Sequence, residues 1–166
     1  LLKKLQNKHD TYTLILLDVN NFKDINDLYG VTSGDQVLKD LTQILLELTP
    51  DEGLECYRVS GDEFAIISKK DLNIESSISL IKQLDEHIKS HMFSITVQRH
   101  MVDIYISVAM GLAHQTGALI EHSNLALAQA KKDGVVYRQY LDSLNLEKNI
   151  QNNIFWNNSQ IGRAHV

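Results

Sequence analysis

One cysteine, one proline, one tryptophan and no excess of positive charge mark this chain of 166 residues, and each shortage excludes something. Cys56 has no partner, so an internal disulfide is impossible and a reducing compartment suits the chain. A net charge of −5 argues against the broad basic footprint of proteins that grip a nucleic-acid backbone. It leaves room for a small anion held locally by a metal and one or two lysines. The longest apolar runs, such as Leu14–Leu17, are far too short to span a bilayer, so no membrane segment is expected in this stretch. Glycine-rich phosphate loops of the Walker or dinucleotide type are missing, and no serine sits in a nucleophile elbow. Repeats and low-complexity segments are missing too.

What is present is ordinary globular composition: 43% apolar and 22% charged residues, enough for one domain with a real core. Tyr12–Val19 is an apolar run that ends on Asp18-Val19 and reads as a buried strand. Phe22–Tyr29 reads as a short helix stopped by Gly30. Val37, Leu38, Leu41, Ile44, Leu45 and Leu48 recur at helical spacing, with Ser33 as the expected N-cap. After the turn at Pro50 and Gly53, Leu54–Val59 and Phe64–Ile67 flank a tight polar turn, the pattern of a hairpin. A helix through Ile74, Ile78, Ile81, Leu84 and Ile88 follows, then strands at Phe93–Val97 and Ile104–Leu112. A helix over Ala118–Lys132 ends at Gly134, and Val135–Tyr140 supplies a last strand. This order lacks regular strand–helix alternation, so the expected fold is α/β (α+β), a mainly antiparallel central sheet flanked by helices.

Two places carry candidate chemistry. Asp18 stands where an apolar strand gives out, fixed by a rigid element yet near solvent, as a hard-metal ligand should be. Asp62 and Glu63 are adjacent carboxylates at the hairpin tip, which repel unless a cation or water intervenes. Taken singly, each reads more readily as a solvated polar group. Asp18-Val19-Asn20 opens like a calcium loop, but Phe22, Lys23 and Tyr29 occupy positions where that loop needs an oxygen ligand, a glycine and a bidentate glutamate. His87 and His91 have the spacing of helical zinc ligands but no evident third ligand, so they read as a solvated helix face.

Together the spacing is not anonymous. The stretch from Asp18 through Phe22, Lys23, Asn26, Asp27 and Gly30 to Gly34-Asp35 resembles the first signature of GGDEF domains, the diguanylate cyclases. Arg58-Val59-Ser60-Gly61-Asp62-Glu63-Phe64 resembles their name-giving signature. Ser107–Gly111 and Ala130–Gly134 match later landmarks in the right order. The resemblance covers about residues 12–140 and implies a fold like that of adenylyl cyclases and polymerase palms. It implies a homodimer of facing domains that joins two GTP into cyclic di-GMP. It also implies Mg²⁺ (or Mn²⁺) held by Asp18, Asp62, Glu63 and the Val19 carbonyl, with Glu63 and Asp62 in the catalytic centre and Glu63 as the base. Asn26 and Asp35 match the guanine readers, and Lys23, Lys131 and Phe22 the remaining substrate contacts. Asn26 is also readable as a helix-turn residue, Asp35 as an early-helix acid, Lys131 as a solvated lysine and Phe22 as core.

The pattern is incomplete in four places. Ser60 replaces a glycine whose freedom at φ > 0 a serine lacks. Val31 stands where a histidine is usual, which should alter packing near the nucleotide. Val135-Val136 replace an Arg-Asn pair, and the missing arginine should cost about 1.5–3 kcal/mol of phosphate binding. Asp51-Glu52-Gly53-Leu54 occupies the place of an Arg-x-x-Asp inhibitory site, so feedback by product through that site is not expected. These changes keep in view a second reading, a GTP-binding regulatory domain that does not turn over. The ends carry expectations of their own. Residues 1–11 read as an upstream linker or helix end, and residues 141–160 as a helical linker toward a missing downstream domain. The stretch 145–149 resembles linkers that lead into an EAL phosphodiesterase. Residues 161–166 resemble a translated sequencing adapter. The expected setting is a cytoplasmic bacterial signalling domain, with a membrane anchor elsewhere in the parent left open.

Overall fold

Strand β1 (Thr13–Val19) is buried from end to end, because it runs through the middle of a sheet covered on both faces. The computed structural model describes residues 12–49, 53–68, 72–114 and 118–141. In it, β2 (Leu54–Ser60) and β3 (Glu63–Ser68) form the expected hairpin. β6 (Val108–His114) flanks β1 on its other side, and β7 (Tyr137–Gln139) closes the far edge. The five-stranded order is β2-β3-β1-β6-β7, antiparallel throughout except for the β6–β7 pair. The expected mainly antiparallel sheet is therefore what forms.

Alternation along β1 sorts its side chains into two cores, as strand geometry demands. Ile15, Leu17 and Val19 face the larger core, built with Val37, Leu38, Leu41 and Leu45 of α2 (Val31–Leu48) and Ile81, Leu84 and Ile88 of α3 (Ile74–Ser90). Leu14 and Leu16 face a smaller core under α4 (Leu119–Asp133), whose inner face is Ala126, Leu127 and Ala130. That second interface is made of small residues and is correspondingly tight. A Cβ added to Gly111 of β6 would stand 2.2 Å from the Ser123 carbonyl oxygen and 2.4 Å from the Leu127 nitrogen. Only glycine lets α4 lie this close to the sheet.

Gly30 has φ +87° and joins α1 (Phe22–Tyr29) to α2. Its N–H donates to the Asn26 carbonyl, and its own carbonyl accepts from Ser33 and Gly34. Gly30, not Ser33, is thus the residue from which α2 starts. Ser33 is buried inside the first turn, with its hydroxyl bonded back to the Tyr29 carbonyl at 2.9 Å. α3 is capped by Asn73, whose side chain accepts from the Ser76 N–H at 2.7 Å. The expected single strand over Ile104–Leu112 is corrected as well. β4 (Phe93–Val97) turns back at once into β5 (His100–Ile104), a separate two-stranded ribbon, and β6 starts only at Val108. The turn is Gln98-Arg99, both at positive φ (46° and 72°), so it has the hairpin geometry without the Asn-Gly dipeptide that usually announces it. Residues 1–11, 142–160 and 161–166, together with Pro50, Asp51 and Glu52, lie outside the described residues, and so do the expectations attached to them.

Candidate functional site

The end of β1 is where the sheet meets the hairpin tip. In the β1–β3 ladder Asp18 stands directly opposite Glu63, and on the other side it faces Ala109 of β6. Cross-strand partners project from the same face of a sheet. Both carboxylates therefore leave the sheet on the face that α4 covers. Val19 lies one residue further, past the last β1–β3 pair, while its side chain is in the larger core. Asp62 forms the tip with Gly61, which adopts φ +47°, and both acidic residues of the turn are half-buried. The turn is held from the β2 side, where Arg58 Nε donates to the Gly61 carbonyl at 2.8 Å.

Asp18 is only 6% exposed. Burial pushes its carboxyl above the ordinary value, and the charges of Asp62 and Glu63 push the same way, against a hydrogen bond and charge from Lys131. That lysine, near the C-terminus of α4, places Nζ 2.6 Å from Asp18 Oδ1. The ammonium expected at a phosphate is thus paired with the strand-end acid. A second pair at the same end of α4, Arg138 Nε to Asp133 Oδ2 at 2.7 Å, ties β7 to the helix and holds the Asp133 carboxyl below its usual range. Cys56 plays no part, since burial raises its thiol to about 11 and keeps it protonated.

Beside Asp18 and Lys131 opens a cavity of about 520 Å³, lined in part by Asn20, Asn21, Ser107 and Val135. Neither Asn20 nor Asn21 is among the site residues that the sequence pattern implies. Asn20 donates its backbone N–H to the Ser107 carbonyl at 2.9 Å and its side-chain amide to Ser107 Oγ at 3.0 Å. Asn21 takes the left-handed conformation (φ 55°) that sends the chain from β1 into α1, and its side chain does not cap the helix. The available signal was chemical, because asparagine is the non-glycine residue best suited to that conformation.

The remaining expected residues gather at the α1–α2 crossing. Phe22 is half-buried, packing against the larger core and lying beside Gly34. Lys23 and Asp35 are exposed. Asn26 is packed so closely on Gly34 that a Cβ there would come within 3.0 Å of its Cγ, and its buried Oδ1 has no hydrogen-bond partner among the described residues. An unsatisfied buried acceptor is costly, and costs of this kind gather at functional sites. The family model described as "Diguanylate cyclase, GGDEF domain" matches residues 1–135. The chain belongs to the GGDEF domain family.

Solved GGDEF structures share the fold. The active GGEEF domain of a diguanylate cyclase from Vibrio cholerae superposes with TM-score 0.66 at 24% identity, over 84% of this chain and 89% of that one. The GGDEF domain of DgcB from Caulobacter crescentus, in complex with c-di-GMP, gives 0.69 at 22% identity, over 84% and 82%. A GGDEF-only form of TpbB (YfiN) from Pseudomonas aeruginosa gives 0.73 at 21% identity, over 90% and 87%. An uncharacterized membrane protein of Staphylococcus aureus is 27% identical over 109 residues, 66% of this chain but 30% of that protein's length. The chain therefore spans less than a third of the curated relatives it matches. No helix among the described residues is long and apolar enough to cross a membrane.

Within the GGDEF frame, the departures acquire a physical meaning. Positive φ in the signature turn belongs to Gly61, and Ser60 is a strand residue without it, so the expected backbone strain at Ser60 does not arise. Instead Ser60 Oγ donates to Glu63 Oε2 at 3.1 Å. Val31 is 67% exposed at the start of α2. Val135 and Val136 line the cavity with apolar groups, and the Val136 carbonyl accepts from the Met110 N–H at 2.7 Å, which starts the parallel pairing of β7.

Proposed function

We propose that this domain binds GTP with Mg²⁺ (or Mn²⁺) and, as a homodimer of facing domains, condenses two GTP into cyclic di-GMP. The observation that carries this reading is the register of Asp18 against Glu63, with Asp62 beside them at the tip. Three carboxylates lie at one end of the sheet, and the Asp18 carboxyl is raised chiefly by its burial and then by the charges of Asp62 and Glu63. Among the described residues no group of three or more His, Cys, Asp or Glu is arranged to hold a metal ion by itself, so Mg²⁺ would take its remaining ligands from the triphosphate and water. Bound by Asp18, Asp62, Glu63 and the Val19 carbonyl, the ion would neutralise triphosphate charge and acidify the attacking hydroxyl.

The chain's own groups supply the rest. Glu63, hydrogen-bonded by Ser60, accepts the 3′-hydroxyl proton of one GTP as that oxygen attacks the α-phosphate of the other. A new P–O bond forms and pyrophosphate leaves, and the same exchange in the opposite direction closes the ring. With no side-chain cap at Asn21, the first N–H groups of α1 would be available to phosphate oxygens, apart from that of Asp24, which donates to the Asn21 carbonyl. Asp35 and Asn26 would accept from the N1–H and amino group of guanine, a donor pair that adenine lacks. Lys23 and Lys131 stand by for phosphate, Lys131 once Asp18 is taken by the cation. GTP as substrate fits a cytoplasmic domain. A downstream EAL domain remains a proposal, tested by reading the parent gene beyond residue 160.

The test is chromatography of the products made by the purified domain, dimerised through a fused coiled coil, from GTP and Mg²⁺. The wild type should make cyclic di-GMP, and Glu63→Ala should lose about two to four orders of magnitude of rate. Equal product from both would overturn the catalytic assignment. GTP binding without product from either would assign the domain the regulatory role instead.

A further inference from the structure

The cavity beside Asp18 continues past the GGDEF signature residues to the last turns of α3, where Asp85 and Lys89 line it. Four charged side chains face this space: Asp18, Lys131, Asp85 and Lys89. The first two are paired at 2.6 Å and bring no net charge. Lys89 is exposed, and among the described residues it makes no ion pair or hydrogen bond, not even with Asp85 one helical turn before it. The wall contributed by Val135 and Val136 is apolar. Among the described residues the one uncommitted cation on the cavity is therefore on α3. A lysine in the last turn of a helix is favoured by the helix dipole alone, but the dipole does not explain why this ammonium borders the cavity that Asp18 lines.

We propose that Lys89 is a phosphate-binding residue, reaching across the cavity to the terminal phosphates of the nucleotide held at Asp18, Asp62 and Glu63. It deepens the GTP reading and rests on it. A metal-bound triphosphate keeps net negative charge, and a lysine on its flexible four-carbon stem meets such a group as a mobile point charge. The cavity, about 520 Å³, has the volume for a triphosphate. Lys89 thereby fills, from a different helix, the role of the cation missing at Val135. Asp85 opposes it and sets an upper bound on how tightly phosphate is held.

The experiment is calorimetric titration of the full chain in Mg²⁺ with GTP, ATP, inorganic tripolyphosphate and guanosine, for the wild type, Lys89→Ala and Lys89→Arg. Lys89→Ala should weaken GTP and tripolyphosphate about tenfold, the loss of one charge-assisted contact, and leave guanosine unchanged. Lys89→Arg should restore most of the loss, and Asp85→Asn should tighten both phosphate ligands. Alanine is the best helix former, so an exposed Lys89→Ala keeps α3 intact, and circular dichroism checks it. Wild-type affinity in Lys89→Ala, with only a lowered melting temperature, would overturn the proposal and leave GTP binding standing. Lys89-dependent binding of tripolyphosphate with no preference for GTP over ATP would uphold Lys89 and overturn the guanine assignment. A wild type that binds neither GTP nor tripolyphosphate overturns both.

Discussion

The candidate site has two halves built by different means. The strand-borne half, Asp18 and Glu63 with Lys131 reaching in, is positioned by hydrogen-bonded register and by a helix pressed onto glycine. The helix-borne half, Lys23, Asn26 and Asp35, rides on α1 and α2, with two of its three residues exposed and the third left with an orphaned oxygen. No residue of α1 is fully buried, whereas every residue of β1 is. The difference matches the work proposed for each. Charge at a reacting phosphate must be placed to within fractions of an ångström. A base-reading edge gains from being able to close on its ligand, and the unsatisfied Asn26 oxygen gives that closure something to satisfy.

The contrast is broken most severely by Gly111→Ala. The new methyl group meets the backbone of α4 at Ser123 and Leu127, which cannot turn aside as a side chain can. The helix must lift, at about 1–3 kcal/mol, and it carries Lys131 away from Asp18. Urea unfolding should show that loss, and activity should fall with it. Asp35→Asn probes the other half. Preference for GTP over ATP, measured by competition binding, should drop by roughly ten- to a hundredfold, with the melting temperature unchanged because Asp35 is exposed.

Asp18→Asn has a smaller effect on stability than Gly111→Ala and the most informative sign. The Asp18 carboxyl is raised above its ordinary 3.8 mainly by burial, so the folded chain holds this proton more tightly than the unfolded one. The stability it contributes is therefore present below the unfolded value and lost as pH rises through the folded one. Asparagine does not ionise. The variant should be more stable than the wild type at neutral pH, with the advantage shrinking as acid protonates Asp18, while catalysis is lost. Melting curves across pH check this. A variant less stable than the wild type at neutral pH would mean that the Lys131 pair outweighs the cost of burial.

Sequence reading reached far into the strand-borne half because it is written locally. An apolar run ending in Asp18 and a glycine-led polar turn are patterns of adjacent residues, and β1, β2, β3 and α1 fell within a residue of their expected limits. What it missed depends on distance or on backbone angles. The Lys131–Asp18 pair joins residues on separate elements. The strain expected at Ser60 depended on which residue of the turn takes positive φ, and Gly61 takes it. The β4–β5 ribbon was invisible because Gln98-Arg99 is an unusual pair for a tight turn and His100–Ile104 is too exposed to show clear alternation. Lys89 carried no motif at all, and only the cavity brings it to the site.

The metal proposed for this site belongs to the strand-borne half. Adding Mn²⁺ with GTP to the ¹⁵N-labelled domain and following paramagnetic broadening of backbone amide signals tests that placement. Strongest broadening is expected at Asp18, Val19, Asp62 and Glu63, weaker broadening along α1, and none on the β4–β5 ribbon. Broadening centred on any other element, or none at the hairpin tip while GTP is bound, would contradict it.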